Sequence, residues 1–462
     1  MPFDDLRAFL RLLDERGELA RVRVGVDLKY EVGAICRKTL DRYGPALLFE
    51  NPGGYGTPLA VNVMATRKRY AMALGVEPAE IHDAWIRWTK NPIDPVLVST
   101  GPCKENILRG DDVDIFKFPI PVWNALDGGP FITFASHFTR DPETGVRNVG
   151  IYRCQVHDRR TIGILAAPMK HIGLQRAKAL QRGEPFYVAS AIGLDPVIQI
   201  VATSAFPFGV DEMALAGAFR GSPVEMVRCE TVPLEVPASA EIVIEGEVLP
   251  DTTIDEGPFG DYTGFYGLKV PRPVIRISAI TYRHGAIHQA SYVGSPPQES
   301  NVMQGIPIEA EIKRLVPLPG IKQVHITDGG CGGLNAIVSV EKRFEGFGKW
   351  IAMAILGTTG SRFIKNLIVV DDDIDVFNWS KVEWAMATRV QPHRDVEIIK
   401  DVTGSYLDPS IPKHEKLTQQ ARTSKMIIDA TKKDVEDYED ACVPKADVMA
   451  RVEEEWEKYG IP

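Results

Sequence analysis

Leu6, Phe9, Leu10 and Leu13 recur at the spacing of one helical face, so the chain opens on an amphipathic helix. Short apolar runs then alternate with helical stretches. Residues 46–49 and 59–63 read as strands, and 70–74 and 81–88 as helices. The Pro-rich passage 116–123 reads as a boundary or an extended crossing segment, because proline withholds a ladder donor and disfavours helix at the residue before it. Beyond it the pattern becomes richer in strand. Ile275, Ile277 and Ala279 alternate with Arg276 and Ser278, and Arg283-His284-Gly285 predicts a hairpin turn into residues 287–292. Residues 251–267 carry Gly257, Pro258, Gly260, Gly264 and Gly267, which predicts turns rather than a ladder. From about residue 310 strands (324–327, 336–340, 367–370) alternate with helices (349–356, 379–388), the signature of a further α/β layer. The tail 447–459 is acidic with Val448, Val452 and Trp456 on one stripe, predicting a helix that docks on its own chain or on a partner subunit.

Composition narrows this picture. At 462 residues the chain exceeds what one hydrophobic core serves, so two or three domains are expected. Hydrophobic content of 44% and charged content of 25% suit a globular protein. A net charge of -9 argues against a nucleic-acid partner, and an anionic substrate would have to be met by local Arg or Lys. No apolar run approaches the ~18 residues of a membrane span, and the first residues carry early acids, unlike a signal peptide. Six scattered cysteines without a Cys-x-x-Cys pair suit reduced thiols, and the expectation is a cytoplasmic enzyme.

The polar residues with chemical promise fall in two blocks, 148–153 and 256–261, with His171 and Glu212 between them. An amide (Asn148), an imidazole (His171) and a carboxylate (Glu212) suit a divalent cation, although they have no local ligand spacing. Arg153 suits a carboxylate through its planar fork, or else an ordinary sheet-edge ion pair. Glu256 and Asp261 lie in a loop fixed by Pro258 and glycines, as a preorganised acid pair needs, but turns attract acids simply because they are solvated. The acidic run 371–375 follows an apolar strand and reads as a turn cap before it reads as a chelator. No Gly-x-Gly-x-x-Gly enters a helix, and neither a Gly-Lys-Ser/Thr loop nor a Gly-x-Ser-x-Gly elbow occurs.

Taken together, NVGIYRCQ (148–155), PMKHIG (168–173), the Glu212 region, VPASAEIVIEGEV (236–248), EGPFGDYTGFY (256–266), IVVDDDIDV (368–376) and Ser-Lys-Met (424–426) resemble the UbiD family of reversible (de)carboxylases that use prenylated FMN. The resemblance spans almost the whole chain. It implies an α/β multidomain fold: an N-terminal α/β domain (1–108), a central split β-barrel of flavin-reductase type (109–310), a C-terminal α/β domain (311–425) and a helical oligomerisation tail (426–462). Asn148, His171 and Glu212 match ligands of a divalent metal, usually Mn²⁺, that ties the cofactor phosphate to the protein, with K⁺ near Glu212, Thr203 and Ser204. Gly150, Ile151, Tyr152, Arg153 and Lys170 match cofactor-binding positions.

In the same way Arg153, Glu256 and Asp261 match the family's catalytic network, and Asp at 261 favours the hydroxybenzoate-type, aromatic-acid branch. The implied reaction is non-oxidative decarboxylation of an aromatic or heteroaromatic acid through a covalent substrate–flavin adduct. A carboxylase using the same site is the alternative, and a flavin-binding oxidoreductase the more distant one. Gln304, Ser405 and Leu407 match the substrate wall, and Ser295 stands where the family often has Arg, which weakens the case for a dicarboxylate. Implied partners are a flavin prenyltransferase as cofactor supplier and a second or sixth copy of the chain, as a homodimer or homohexamer.

Overall fold

The computed structural model describes residues 3–417, 421–433, 438–439 and 442–461, so part of the expected tail 426–462 lies outside the described residues. The first helix, Leu6–Glu15, buries Leu6, Phe9, Leu10 and Leu13, and its N-terminus is capped by Asp5, whose carboxylate accepts from the Ala8 N–H at 2.8 Å. Arg7 leaves its solvent face to pair with Glu241 at 2.7 and 2.8 Å, which fastens the helix to the central sheet. A four-stranded sheet of Leu19–Val22, Ala46–Phe49, Leu59–Val61 and His288–Ala290 packs behind it.

The centre is a curled antiparallel sheet of nine strands. Its path runs Phe131–Ile132, Cys154–Asp158, Thr161–Ile164, Val270–Tyr282, Ile242–Glu256, Phe186–Ile192, Ser136–Arg140, Arg147–Ile151, with Asn106–Arg109 on Val270–Tyr282. Arg147–Ile151 ends one side of that path, while Cys154–Asp158 lies next to the other end. Only Tyr152 and Arg153 separate them in sequence. Three Cα–Cα steps, from Ile151 to Cys154, span at most ~11 Å, so the sheet has to curl until its ends meet. Its concave interior is filled by Ile162, Val188, Ile244, Ile275 and Ile277 among others.

Two sequence expectations are corrected here. The hairpin at Arg283-His284-Gly285 does not form, because Arg283 is drawn aside by Asp5 and Glu241, and His288–Ala290 pairs in parallel with Leu59–Val61 instead. Alternation signals a strand but says nothing of its partner. Residues 251–256 are not a turn either. They continue the strand Ile242–Glu256 after a register shift between Val248 and Thr253, and turn structure starts only at Gly257, whose φ of 97° is open to glycine.

Beyond the helix Glu299–Leu315 lies a mixed five-stranded sheet in the order Ile321–Ile326, Asn335–Val340, Asn366–Asp371, Arg422–Ala430, Val396–Thr403. Arg422–Ala430 and the helix Glu299–Leu315 cross the expected boundaries near 425 and 310, and Asn106–Arg109 crosses the one near 108. The acidic run caps and pairs: Arg389 binds Asp371 at 2.7 Å and Asp373 at 3.0 Å, and Asp375 accepts from the Phe377 N–H. The tail helix Ala446–Glu454 buries none of its residues.

Glu299 opens the long helix that leads into this last sheet. It is fully buried, accepts from the Met64 N–H at 2.6 Å, and burial pushes its carboxyl up to about 7. The folded protein therefore holds a proton there that the unfolded chain has released. Stability should fall as pH rises from about 4.5 to about 7, by a few kcal/mol at most, and level off above. Glu299→Gln should flatten that segment of the stability–pH curve from chemical denaturation; an unchanged slope would remove Glu299 as its source.

Candidate active site

The junction that closes the sheet carries Arg153, which gathers Glu256 and Asp261. Arg153 leaves the last strand and turns its guanidinium along the end of Ile242–Glu256. Its Nε donates to Glu256 Oε1 at 2.7 Å and its Nη2 to Glu256 Oε2 at 3.3 Å. Nη1 donates to Asp261 Oδ2, so one guanidinium joins both acids. Phe259 lies under the cation with its ring centroid 5.0 Å away. Glu256 is fully buried, and Asp261 retains 8% exposure. Burial opposes the charge on Arg153, but the carboxylates of Asp261 and Glu256 outweigh it and raise its pKa further.

The Asp261 loop is held from several sides. The Gly257 N–H donates to Gln155 Oε1 at 2.8 Å and the Gly260 N–H to Asp127 Oδ1 at 3.0 Å. Asp261 Oδ1 accepts from the Tyr262 N–H at 2.7 Å, and its own N–H donates to Phe265 O at 3.0 Å. Such anchoring fixes the acid without depending on its rotamer alone.

Asn148, His171 and Glu212 also meet. Asn148 projects from Arg147–Ile151, whereas His171 and Glu212 are the first residues of the helices His171–Arg182 and Glu212–Arg220. His171 Nδ1 lies 3.0 Å from Asn148 Oδ1 and 3.8 Å from Glu212 Oε1. The Val149 N–H donates to Glu212 Oε2 at 2.9 Å, leaving Oε1 toward the imidazole. Burial raises the Glu212 carboxyl and His171 opposes it. Two helix N-termini thus face one point lined by an amide oxygen, an imidazole nitrogen and a carboxylate. That donor set fits a divalent cation, and the helix ends with Lys170 fit a phosphate. Lys170 is exposed as a residue, yet its ammonium is crowded by protein and by Arg362, and both lower its pKa.

Tyr152 bridges the two sets. Its ring lies across Gly150, where a Cβ would approach the hydroxyl to 2.6 Å, and burial pushes the phenol up to about 12. Ile151 is half-buried against the large core. Thr203 and Ser204 donate their hydroxyls to Ile200 O at 2.8 and 2.7 Å, which leaves oxygen lone pairs as their free capacity.

Ser405 and Leu407 reach the Asp261 loop: Ser405 Oγ lies 2.8 Å from Tyr262 Oη, and Leu407 O accepts from Thr263 at 3.2 Å. Gln304 is half-buried on the helix Glu299–Leu315 and makes no hydrogen bond to either set among the described residues. Two residues escaped the sequence reading. Arg272 Nε lies 3.4 Å from Glu256 Oε2, and Tyr406 stands between Ser405 and Leu407 with its electrostatic surroundings in the reactive set. Only adjacency to residues 405 and 407 could have pointed to Tyr406. Nothing local marks Arg272, which reaches Glu256 by pairing in the next strand.

The sequence matches the N-terminal (residues 10–88), Rift-related (96–296) and C-terminal (301–430) domains of 3-octaprenyl-4-hydroxybenzoate carboxy-lyase, UbiD. The UbiD-class enzyme HmfF from Pelotomaculum thermopropionicum, solved with FMN, is 37% identical over 97% of this chain and 99% of its own, with a TM-score of 0.88. An evolved dimeric form of it carries prFMN. Vanillic acid decarboxylase from Sedimentibacter hydroxybenzoicus in its open form is 30% identical over 100% of this chain and 99% of its own (TM-score 0.88). The 3,4-dihydroxybenzoic acid decarboxylase AroY of Klebsiella pneumoniae is 32% identical over 98% and 99% (TM-score 0.88). With all three domains matched and full-length relatives at 30% to 37% identity, the chain belongs to the UbiD family.

Proposed function

We propose that the chain is a carboxy-lyase that decarboxylates an aromatic or heteroaromatic, hydroxylated carboxylic acid without oxidation, using prenylated FMN. The observation that carries this reading is the single guanidinium of Arg153 shared by Glu256 and Asp261 on the strand junction next to the Asn148–His171–Glu212 cluster. The reverse reaction, carboxylation of a phenol or arene, uses the same residues. A flavin-linked oxidoreductase is disfavoured, since no dinucleotide fingerprint occurs in the sequence.

Asn148, His171 and Glu212 would hold the divalent metal, Mn²⁺ in this reading. Glu212, Thr203 and Ser204 would hold K⁺, and Lys170 would sit beside the cofactor phosphate. Gly150, Ile151 and Tyr152 would line the flavin. When bound, the prenylated flavin supplies a sink for the electron pair that an sp² ring carbon cannot hold. Arg153, fixed along one edge by Glu256, orients the substrate carboxylate in a site with little water, where a charged hydrogen bond is strong. The carbon–carbon bond breaks, CO₂ leaves, and Asp261, which takes a proton from solvent when the substrate carboxylate replaces it on Arg153, gives that proton to the ring carbon and returns to the guanidinium as a carboxylate. Gln304, Ser405 and Leu407 form the substrate wall. The central sheet is read as a split barrel of flavin-reductase type, the exposed tail helix as a contact with another copy in a homodimer or homohexamer, and a flavin prenyltransferase as cofactor supplier in the cytoplasm.

Co-expression with such a prenyltransferase tests the cofactor assignment. The purified chain should carry flavin and a divalent metal together, and His171→Ala should lower both, by tenfold or more in metal affinity, as loss of one ligand implies. Full occupancy in His171→Ala would remove His171 from the ligand set, and a wild-type protein without flavin would overturn the proposal.

A further inference from the structure

The C-terminal sheet touches the Asp261 loop through a small clasp. Tyr262 Oη and Ser405 Oγ are 2.8 Å apart, and Thr263 Oγ1 donates to Leu407 O at 3.2 Å. Tyr262 and Thr263 directly follow Asp261, so Tyr406 is pinned between two bonds to the loop that carries the acid. Its own segment is stiff. The Asp408 N–H donates to Ser405 O at 2.9 Å, Lys365 Nζ to Asp408 Oδ2 at 3.0 Å, and the Gly404 N–H to Ala421 O at 2.9 Å. The backbone that carries Tyr406 is therefore held to the Asp261 loop.

Burial first, and the charge of Asp261 next, push the Tyr406 phenol up from its ordinary range, while Arg153, Arg272 and Glu256 also act on it. The hydroxyl stays protonated at neutral pH and makes no hydrogen bond to any described residue. It is a spare donor within the electrostatic reach of Asp261, Arg153, Arg272 and Glu256. A carboxylate has two oxygens and about four lone-pair directions, whereas Arg153 spends three of its five N–H groups on Glu256 and Asp261 and keeps two. An incoming acid that takes both of those N–H groups still has lone pairs open to a further donor.

We propose that Tyr406 is that donor: its hydroxyl binds the carboxylate of the substrate acid, and the C-terminal unit delivers it when the 405–407 loop is clasped on the Asp261 loop. The inference rests on the decarboxylase reading of the site. It makes recognition of the acid dependent on the closed clasp, while the decarboxylated product, lacking the carboxylate, does not engage Tyr406 and leaves freely.

The test uses the flavin-loaded protein, the member of an aromatic-acid panel that the wild-type protein turns over fastest, and the decarboxylation product of that acid. Tyr406→Phe should weaken binding of the acid by about tenfold or more, the order expected of one hydrogen bond to a charged group, and leave binding of the product unchanged. Flavin content and melting temperature should match the wild type. Ser405→Ala, which loosens the clasp and keeps the phenol, should give a smaller loss in the same direction. Equal weakening of acid and product would place the hydroxyl on a ring substituent that both share and overturn the proposal, as would no change in either. If the wild-type protein turns over no acid of the panel, the decarboxylase reading itself falls, an outcome distinct from a silent Tyr406→Phe.

Discussion

Replacing Asp261 by Asn is expected to lower CO₂ release by 10²- to 10⁴-fold, the range contributed by a positioned proton donor, while flavin and metal content stay at wild-type levels. The amide keeps an oxygen for the Tyr262 N–H, and Arg153 keeps both bonds to Glu256, so the loop and the buried ion pair survive. What is lost is the transferable proton. The informative comparison is turnover against occupancy in the same preparation. A variant that retains flavin and still releases CO₂ at more than a third of the wild-type rate would strip Asp261 of its role.

The second large effect is on stability and arises far from the reactive set. Glu309, on the helix Glu299–Leu315, is buried and joins three cationic or imidazole groups. Its Oε2 accepts from Arg67 at 2.6 Å and lies 2.7 Å from His82 Nε2, while Oε1 lies 3.1 Å from His325 Nδ1 and accepts from the Ile326 N–H at 2.9 Å. Burial alone would raise this carboxyl; Arg67 and the two histidines overcome it and hold it far below the ordinary carboxylate range. Phe377 covers the cluster, 4.7 Å from Arg67 and 4.7 Å from the His325 ring. Arg67 and His82 come from helices near the N-terminus, and His325 from the last sheet, so this one carboxylate ties the two ends of the molecule together. Glu309→Leu should cost roughly 3–5 kcal/mol, because it leaves the largely buried Arg67 cation without its partner. The double variant Arg67→Met/Glu309→Leu should recover much of that loss, since an apolar pair carries no desolvation penalty. Denaturation midpoints of the four proteins in the cycle measure it. A loss below about 1 kcal/mol in the single variant would show that the cluster is relaxed by water or by rearrangement.

The sequence was most informative where chemistry is concentrated in short blocks. Asn148 and Arg153 lie in one strand and its exit, and Glu256 and Asp261 at a strand end and in the loop that follows it, so their residue types and order could be read directly. Helix positions were legible for a different reason. Leu6, Phe9, Leu10 and Leu13 repeat the helical period, and each is buried. What could not be read was partnership. The strand 288–290 was anticipated as the return arm of a hairpin, but its partner is residues 59–61, more than two hundred positions away. The curl of the central sheet depends on a two-residue junction between strands at opposite ends of its path, and no local pattern encodes that. The Glu309 cluster is the same problem in polar form, since residues 67, 82, 309 and 325 acquire meaning only together. Tyr406 and Arg272 were missed because an isolated Tyr or Arg has many bland explanations until its neighbours are known.

The proposed function requires that Arg153, Glu256 and Asp261 with prenylated FMN remove CO₂ from an aromatic acid. Headspace CO₂ from the flavin- and metal-loaded protein, incubated with a panel of hydroxylated and heteroaromatic acids, measures it directly. The account predicts CO₂ in equal amount to one decarboxylated product for at least one acid, and its loss in Asp261→Asn at unchanged flavin content. A fully loaded protein that releases no CO₂ from any of them and incorporates none into the corresponding phenols would contradict it.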